Sequence, residues 1–133
     1  MLKRGLIAGL ANLIVMLVLM WLIGVVFPSV MQEYKNTAIF RPFNDPLMMV
    51  YFGYPFILGF AAAYLWNLLE KHLSGNVTNK ALQFAKTYFI IATIPGMFIS
   101  YTTFQLSFLM IVMWTVTGFI EAFVAGYIFA KVK

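Results

Sequence analysis

The last long apolar run, Gln105–Ala130 (QLSFLMIVMWTVTGFIEAFVAGYIFA), decides what kind of molecule this is. At about 1.5 Å of rise per residue, a helix of that length crosses a hydrocarbon core roughly 30 Å thick. Gly118, Ala122, Gly126 and Ala130 recur every fourth residue. That spacing gathers small side chains on one narrow face, where a neighbouring backbone can approach closely. Glu121 sits among them. A charged group at the centre of a membrane helix costs at least ~2.5–3.5 kcal/mol, so the run predicts a spanning helix with its acidic residue turned inward, beside Gly118 and Ala125. Val116, Phe119, Ile120, Phe123 and Tyr127 fall on the other side, towards lipid.

The composition agrees. The chain has 133 residues, one domain's worth, of which 63% are hydrophobic and 10% charged. Soluble domains carry roughly 25% charged residues, and a short soluble chain cannot bury so much apolar surface. The lipid bilayer is therefore the first expected partner. Cysteine is absent, which excludes disulfides, thiolate metal sites and cysteine nucleophiles. The net charge is +5, but the basic residues flank apolar runs instead of forming a patch. Anionic headgroups are the expected counterpart for them, and nucleic acid is not.

Three more spans precede the last. Lys3-Arg4 introduce an apolar run over residues 5–27, too long in its apolar core for a cleavable signal peptide and without a small-x-small cleavage site. Residues 28–46 are polar and hold Pro28, Pro42 and Pro46, so no continuous helix fits. Ser29 is placed to cap a short interfacial helix through Thr37, and Asp45-Pro46 reads as an N-cap with proline following. The second span covers about 47–69 and stops at Glu70-Lys71-His72, with Gly75 beyond. Thr78 or Asn79 is expected to cap the third, about 81–101, which Pro95-Gly96 should kink. The fourth covers about 105–130, after a break at Thr102-Thr103-Phe104, and makes a tight hairpin with the third.

If the N-terminus is cytoplasmic, that side holds Lys3, Arg4, Lys71, Lys80, Lys86, Lys131 and Lys133, and the other only Lys35 and Arg41. The excess predicts both termini in the cytoplasm of a cell-membrane protein, with Tyr34, Tyr51, Tyr54 and Tyr101 as an aromatic belt on the outer side. The Asn76-Val77-Thr78 glycosylation pattern then lies on the wrong side and is read as chance.

Small residues mark the packing face of every span: Gly5 and Gly9, then Gly59 and Ala63, then Ala92 and Gly96, then Gly118, Ala122 and Gly126. At about 100° per residue, Asn12 shares the face of Gly5 and Gly9, and Glu70 with Asn67 that of Gly59 and Ala63. Depth then predicts a polar cluster of Glu121, Asn12 and Thr93, with Asn67 and Glu70 at a cytoplasmic mouth. Its chemistry is either a protonatable path for a small solute or ion, or a hydrogen-bonded register between helices. Arg41 and Asp45 form a second candidate in the outer loop, as an anion receptor or a shaping ion pair.

His72 has no converging ligands, and the methionines lack sulfur or imidazole company, so gap-filling is expected of them, with no metal or other cofactor. No nucleophile–base pair can be assembled, and an enzyme is not expected. The expected fold is an all-α, four-transmembrane-helix bundle with a short interfacial helix or structured loop between helices 1 and 2. Its small-residue stripes predict a homo-oligomer or a place beside a partner membrane protein. Small-solute or ion passage is the first functional expectation, and an accessory or scaffold subunit the alternative.

Overall fold

Prolines and polar caps divide the chain into five helices in a computed structural model that describes residues 1–133. Helices α1 (Leu2–Val26), α3 (Pro46–His72), α4 (Val77–Thr103) and α5 (Phe108–Lys131) are each long and apolar enough to cross a membrane. The short α2 (Pro28–Tyr34) stands between the first two. There is no strand, and the architecture is the all-α four-span bundle expected from the sequence. Both chain ends lie at one end of the bundle (the terminal end), where Arg4 Nε donates to the Val132 carbonyl at 2.6 Å. The α2 segment and the turn after Thr103 lie at the other, distal end.

The caps explain the boundaries. Pro28 opens α2, where a missing N–H costs nothing. Ser29 is therefore inside the helix and caps nothing, and the helix ends at Tyr34, short of Thr37. Asp45 does cap α3, accepting from the Leu47 N–H at 2.9 Å, with Pro46 next. The cap of α4 is Asn76, not Thr78 or Asn79; its extended backbone lets Oδ1 accept from the Asn79 N–H at 2.9 Å. Gly75, with φ +89°, supplies the left-handed turn before it.

Two pairs of helices meet almost backbone to backbone. A Cβ placed on Gly59 would lie 2.5 Å from the Gly5 carbonyl oxygen and 2.8 Å from the Gly9 nitrogen. One on Gly126 would lie 3.2 Å from the Ala81 Cα. With lipid as solvent, such close van der Waals contact holds helices together, since burial from water supplies little. Between these pairs, Ala8, Ala63, Ala125, Trp66, Phe84 and Phe129 fill the terminal half. The rings of Trp66, Phe84 and Phe129 pack mutually at 5.5, 5.7 and 5.9 Å between centroids.

The third span departs from expectation. A Cβ on Gly96 would meet nothing within 4 Å, and Ala92 is exposed to the bundle's open side. Neither packs against a helix. Pro95 is the reason: it has no N–H for the Ile91 carbonyl, and its ring crowds that carbonyl. The backbone rewinds over Phe89–Thr93 as a π turn, and the following Ile94–Thr103 segment buries no residue. α4 and α5 therefore press together in the terminal half and part towards their connecting turn, so the hairpin is tight only at its open end. Phe119, expected to face lipid, packs edge-on against Phe89 at 5.6 Å.

Candidate functional site

Parting of the third span leaves a cavity of about 540 Å³ in the distal half, walled by all five helices and the loop before α3. Six of the nine methionines line it: Met16, Met20, Met31, Met48, Met97 and Met113. Gap-filling was expected of these residues, but instead they furnish a wall of flexible, polarisable side chains. Tyr34, Tyr51, Tyr54, Tyr88 and Trp114 supply rings. Three of the four tyrosines expected as an outer belt thus face the cavity, while Tyr101 packs on Phe108 at 6.0 Å.

Glu121 stands at the inner end of the cavity, 5% exposed. No side chain or main-chain group of the protein hydrogen-bonds its carboxyl or pairs with it. The small face of α5 provides the space: a Cβ on Gly118 would meet Thr93 Cγ2 at 3.4 Å and Oγ1 at 3.5 Å. Thr93, the last residue of the π turn, is thereby seated over Gly118 in the same cavity.

Asn12 makes no hydrogen bond to either. It is fully buried, neither its Nδ2 nor its Oδ1 has a hydrogen-bond partner, and it lies outside the cavity wall. One turn away on one side Met16 lines the cavity, and one turn away on the other Ala8 belongs to the terminal core. Asn12 therefore marks the boundary between the two halves on α1, as Glu121 does one turn before Ala125 on α5. Of the cluster read from the sequence, Thr93 and Glu121 line the cavity and Asn12 does not.

Asn67 and Glu70 lie at the terminal end, away from the cavity, and are joined by Arg4, whose Nη1 stands 3.4 Å from Asn67 Oδ1 and 3.4 Å from Glu70 Oε2. With its bond to Val132, Arg4 ties the ends of three spans together. The expected mouth is a latch.

Arg41 and Asp45 pair at 2.9 Å on the distal rim, where Arg41 lines the cavity. The Leu47 N–H first, and then Arg41, hold the Asp45 carboxyl below the ordinary carboxylate range. Glu33 was missed by sequence reasoning. Its two oxygens accept from the Ser107 N–H at 2.7 Å and the Ser107 hydroxyl at 2.6 Å, fastening α2 to the start of α5. Ser107 before an apolar run signals a cap, but no periodicity names a partner 74 positions away. Beside it, the Trp114 indole donates to the Tyr34 hydroxyl, and burial pushes that phenol up, so the rim keeps a neutral hydroxyl.

α3 and α4 meet in the terminal half through Trp66 and Phe84. Tyr54 and Leu58 on one, and Tyr88 and Met97 on the other, border the cavity between them. No group of three His, Cys, Asp or Glu residues converges to hold a metal ion. Comparison with known protein families, curated proteins and solved structures finds no match. What fold and site define is a four-span helical membrane protein with a cavity among its helices and one buried carboxyl.

Proposed function

We propose that the chain binds a small lipid-soluble or amphiphilic solute inside the membrane, as the loading step of small-solute passage. The observation that carries this is Glu121: a buried carboxyl without a partner in the chain, at the inner end of a mainly apolar cavity of about 540 Å³. Such a volume lies in the roughly 300–1,000 Å³ range of small-molecule sites, which combine apolar walls with a few polar groups. The reading is non-enzymatic. Seven of the nine Lys and Arg residues flank the terminal ends of the spans, which supports cytoplasmic termini and loading from the outer side.

A photolabelling experiment in proteoliposomes tests the proposal. A neutral, lipid-soluble diazirine should label Tyr54, Tyr88 and Met97, and Gly118→Leu, which crowds the cavity beside Glu121 and Thr93, should reduce that labelling. Labelling spread evenly over the lipid-facing residues, unchanged in Gly118→Leu, would end the reading.

An accessory role is the second reading, favoured by the uncovered strip of Gly96 and Ser100 on a segment without buried residues. Close approach of another helix, from a second copy or a partner membrane protein, fits there. The mass of the particle purified in mild detergent, with any stoichiometric partner, separates the two.

A further inference from the structure

The charge inventory of the cavity is short and lopsided. Arg41 and Glu121 are the only formally charged types in its wall, and the other titratable groups are Tyr34 from α2, Tyr51 and Tyr54 from α3, and Tyr88 from α4; α1 contributes none. Arg41 is already matched by Asp45 at 2.9 Å. Glu121 is matched by nothing in the chain. An ionised carboxyl in an apolar wall needs a positive charge beside it, and a protonated one needs none. An anionic solute would meet the carboxyl with the wrong sign, and a neutral one would leave it as it was.

The walls point the same way. Tyrosine and tryptophan faces attract cations, the more so away from water. The methionines conform to irregular apolar bodies. A bare metal ion requires several converging oxygen ligands, whereas a cation with its charge spread over aryl or alkyl groups requires only one counter-charge and soft walls.

Resting on the solute-binding reading above, we propose that the cavity takes a lipophilic monocation, whose charge faces Glu121 and whose apolar groups fill the methionine and tyrosine walls. When Glu121 carries a proton, loading releases it: the O–H bond breaks, the proton passes to the buffer, and carboxylate and cation remain as a neutral pair. Charge in the site is the same before and after.

The test uses a pair of probes of the same shape, tetraphenylphosphonium and tetraphenylborate, titrated calorimetrically into the purified full chain in detergent. Two buffers of different ionisation enthalpy reveal any proton release. The expected result is that the phosphonium binds with proton release and about tenfold or more tighter than the borate. Glu121→Gln should weaken the phosphonium by a similar factor and abolish the release, and Gly118→Leu should remove binding. Equal binding of the two probes, both lost in Gly118→Leu, overturns the cation assignment while the cavity reading stands. Binding by neither, or binding indifferent to Gly118→Leu, overturns both. The probe pair acts on the unaltered chain, so the preference for the cation is read without any variant.

Discussion

Arg4 and Val132, 128 positions apart, are joined at 2.6 Å by the guanidinium Nε and a main-chain carbonyl. The same side chain reaches Asn67 and Glu70, so one residue near the start of the chain closes the terminal end across three spans. Arg4→Ala should destabilise the bundle by about 1–2 kcal/mol, since charged hydrogen bonds are lost at a partly exposed site. Arg4→Lys should recover only part, because an ammonium lacks the fork that serves three acceptors. Thermal unfolding in micelles measures both, and equal midpoints for Arg4→Ala and the parent would refute the latch.

Gly59 and Gly96 make a matched pair for the packing argument. Gly59→Ala forces a methyl group to within 2.5 Å of the Gly5 carbonyl, so α1 and α3 must separate, at about 1–3 kcal/mol. Gly96→Ala meets open space and should be neutral or slightly stabilising. Denaturing-detergent titration reads the difference. Equal losses at both positions would contradict the close approach.

Pro95→Ala should restore the Ile91 hydrogen bond and convert the Phe89–Thr93 π turn to regular helix. Removing the extra residue rotates Thr93 by roughly 100° relative to one of its flanks, away from Gly118. The variant should fold, bind the phosphonium probe several-fold more weakly, and show slower amide exchange between Phe89 and Thr93. Unaltered exchange there would mean that proline does not cause the turn.

The Asp45 cap predicts an acid-side dependence. Its folded-state carboxyl is held below the ordinary range, so the folded chain binds that proton less readily than the unfolded one. The stabilisation is complete above the ordinary carboxylate range and is lost as pH falls from there through the lowered folded-state value. Asp45→Asn, which still caps, should flatten this dependence in thermal midpoints taken from about pH 7 to about pH 3. Asp45→Ala should be less stable at neutral pH as well.

Glu33 and Ser107 should be coupled by about 1 kcal/mol in a double-mutant cycle of Glu33→Gln and Ser107→Ala. Additive effects would show that the two bonds to Ser107 contribute separately.

How much of this was legible in advance depends on the range of the interaction. Spans follow from hydropathy, because lipid forces every backbone bond to close within its own helix. The Gly5, Gly9 and Gly59 contact and the burial of Glu121 follow from small residues at fixed intervals. Ala92 and Gly96 carry the same spacing yet pack on nothing, because a stripe states what a face permits and not what covers it. Pro95 signalled a kink, but the size of the resulting cavity depends on how three other helices fail to follow it. Arg4 with Val132 and Glu33 with Ser107 are pairings of distant polar side chains, and no local pattern encodes them.

The Trp66, Phe84 and Phe129 cluster has one more consequence. It fills the bundle on the terminal side of Glu121, so under the proposed function a bound molecule would cross only after those three rings come apart. Movement through such a protein would be stoichiometric and would saturate at high solute. It would slow steeply on cooling, as a carrier does, and single-molecule recordings would show no steady ionic current.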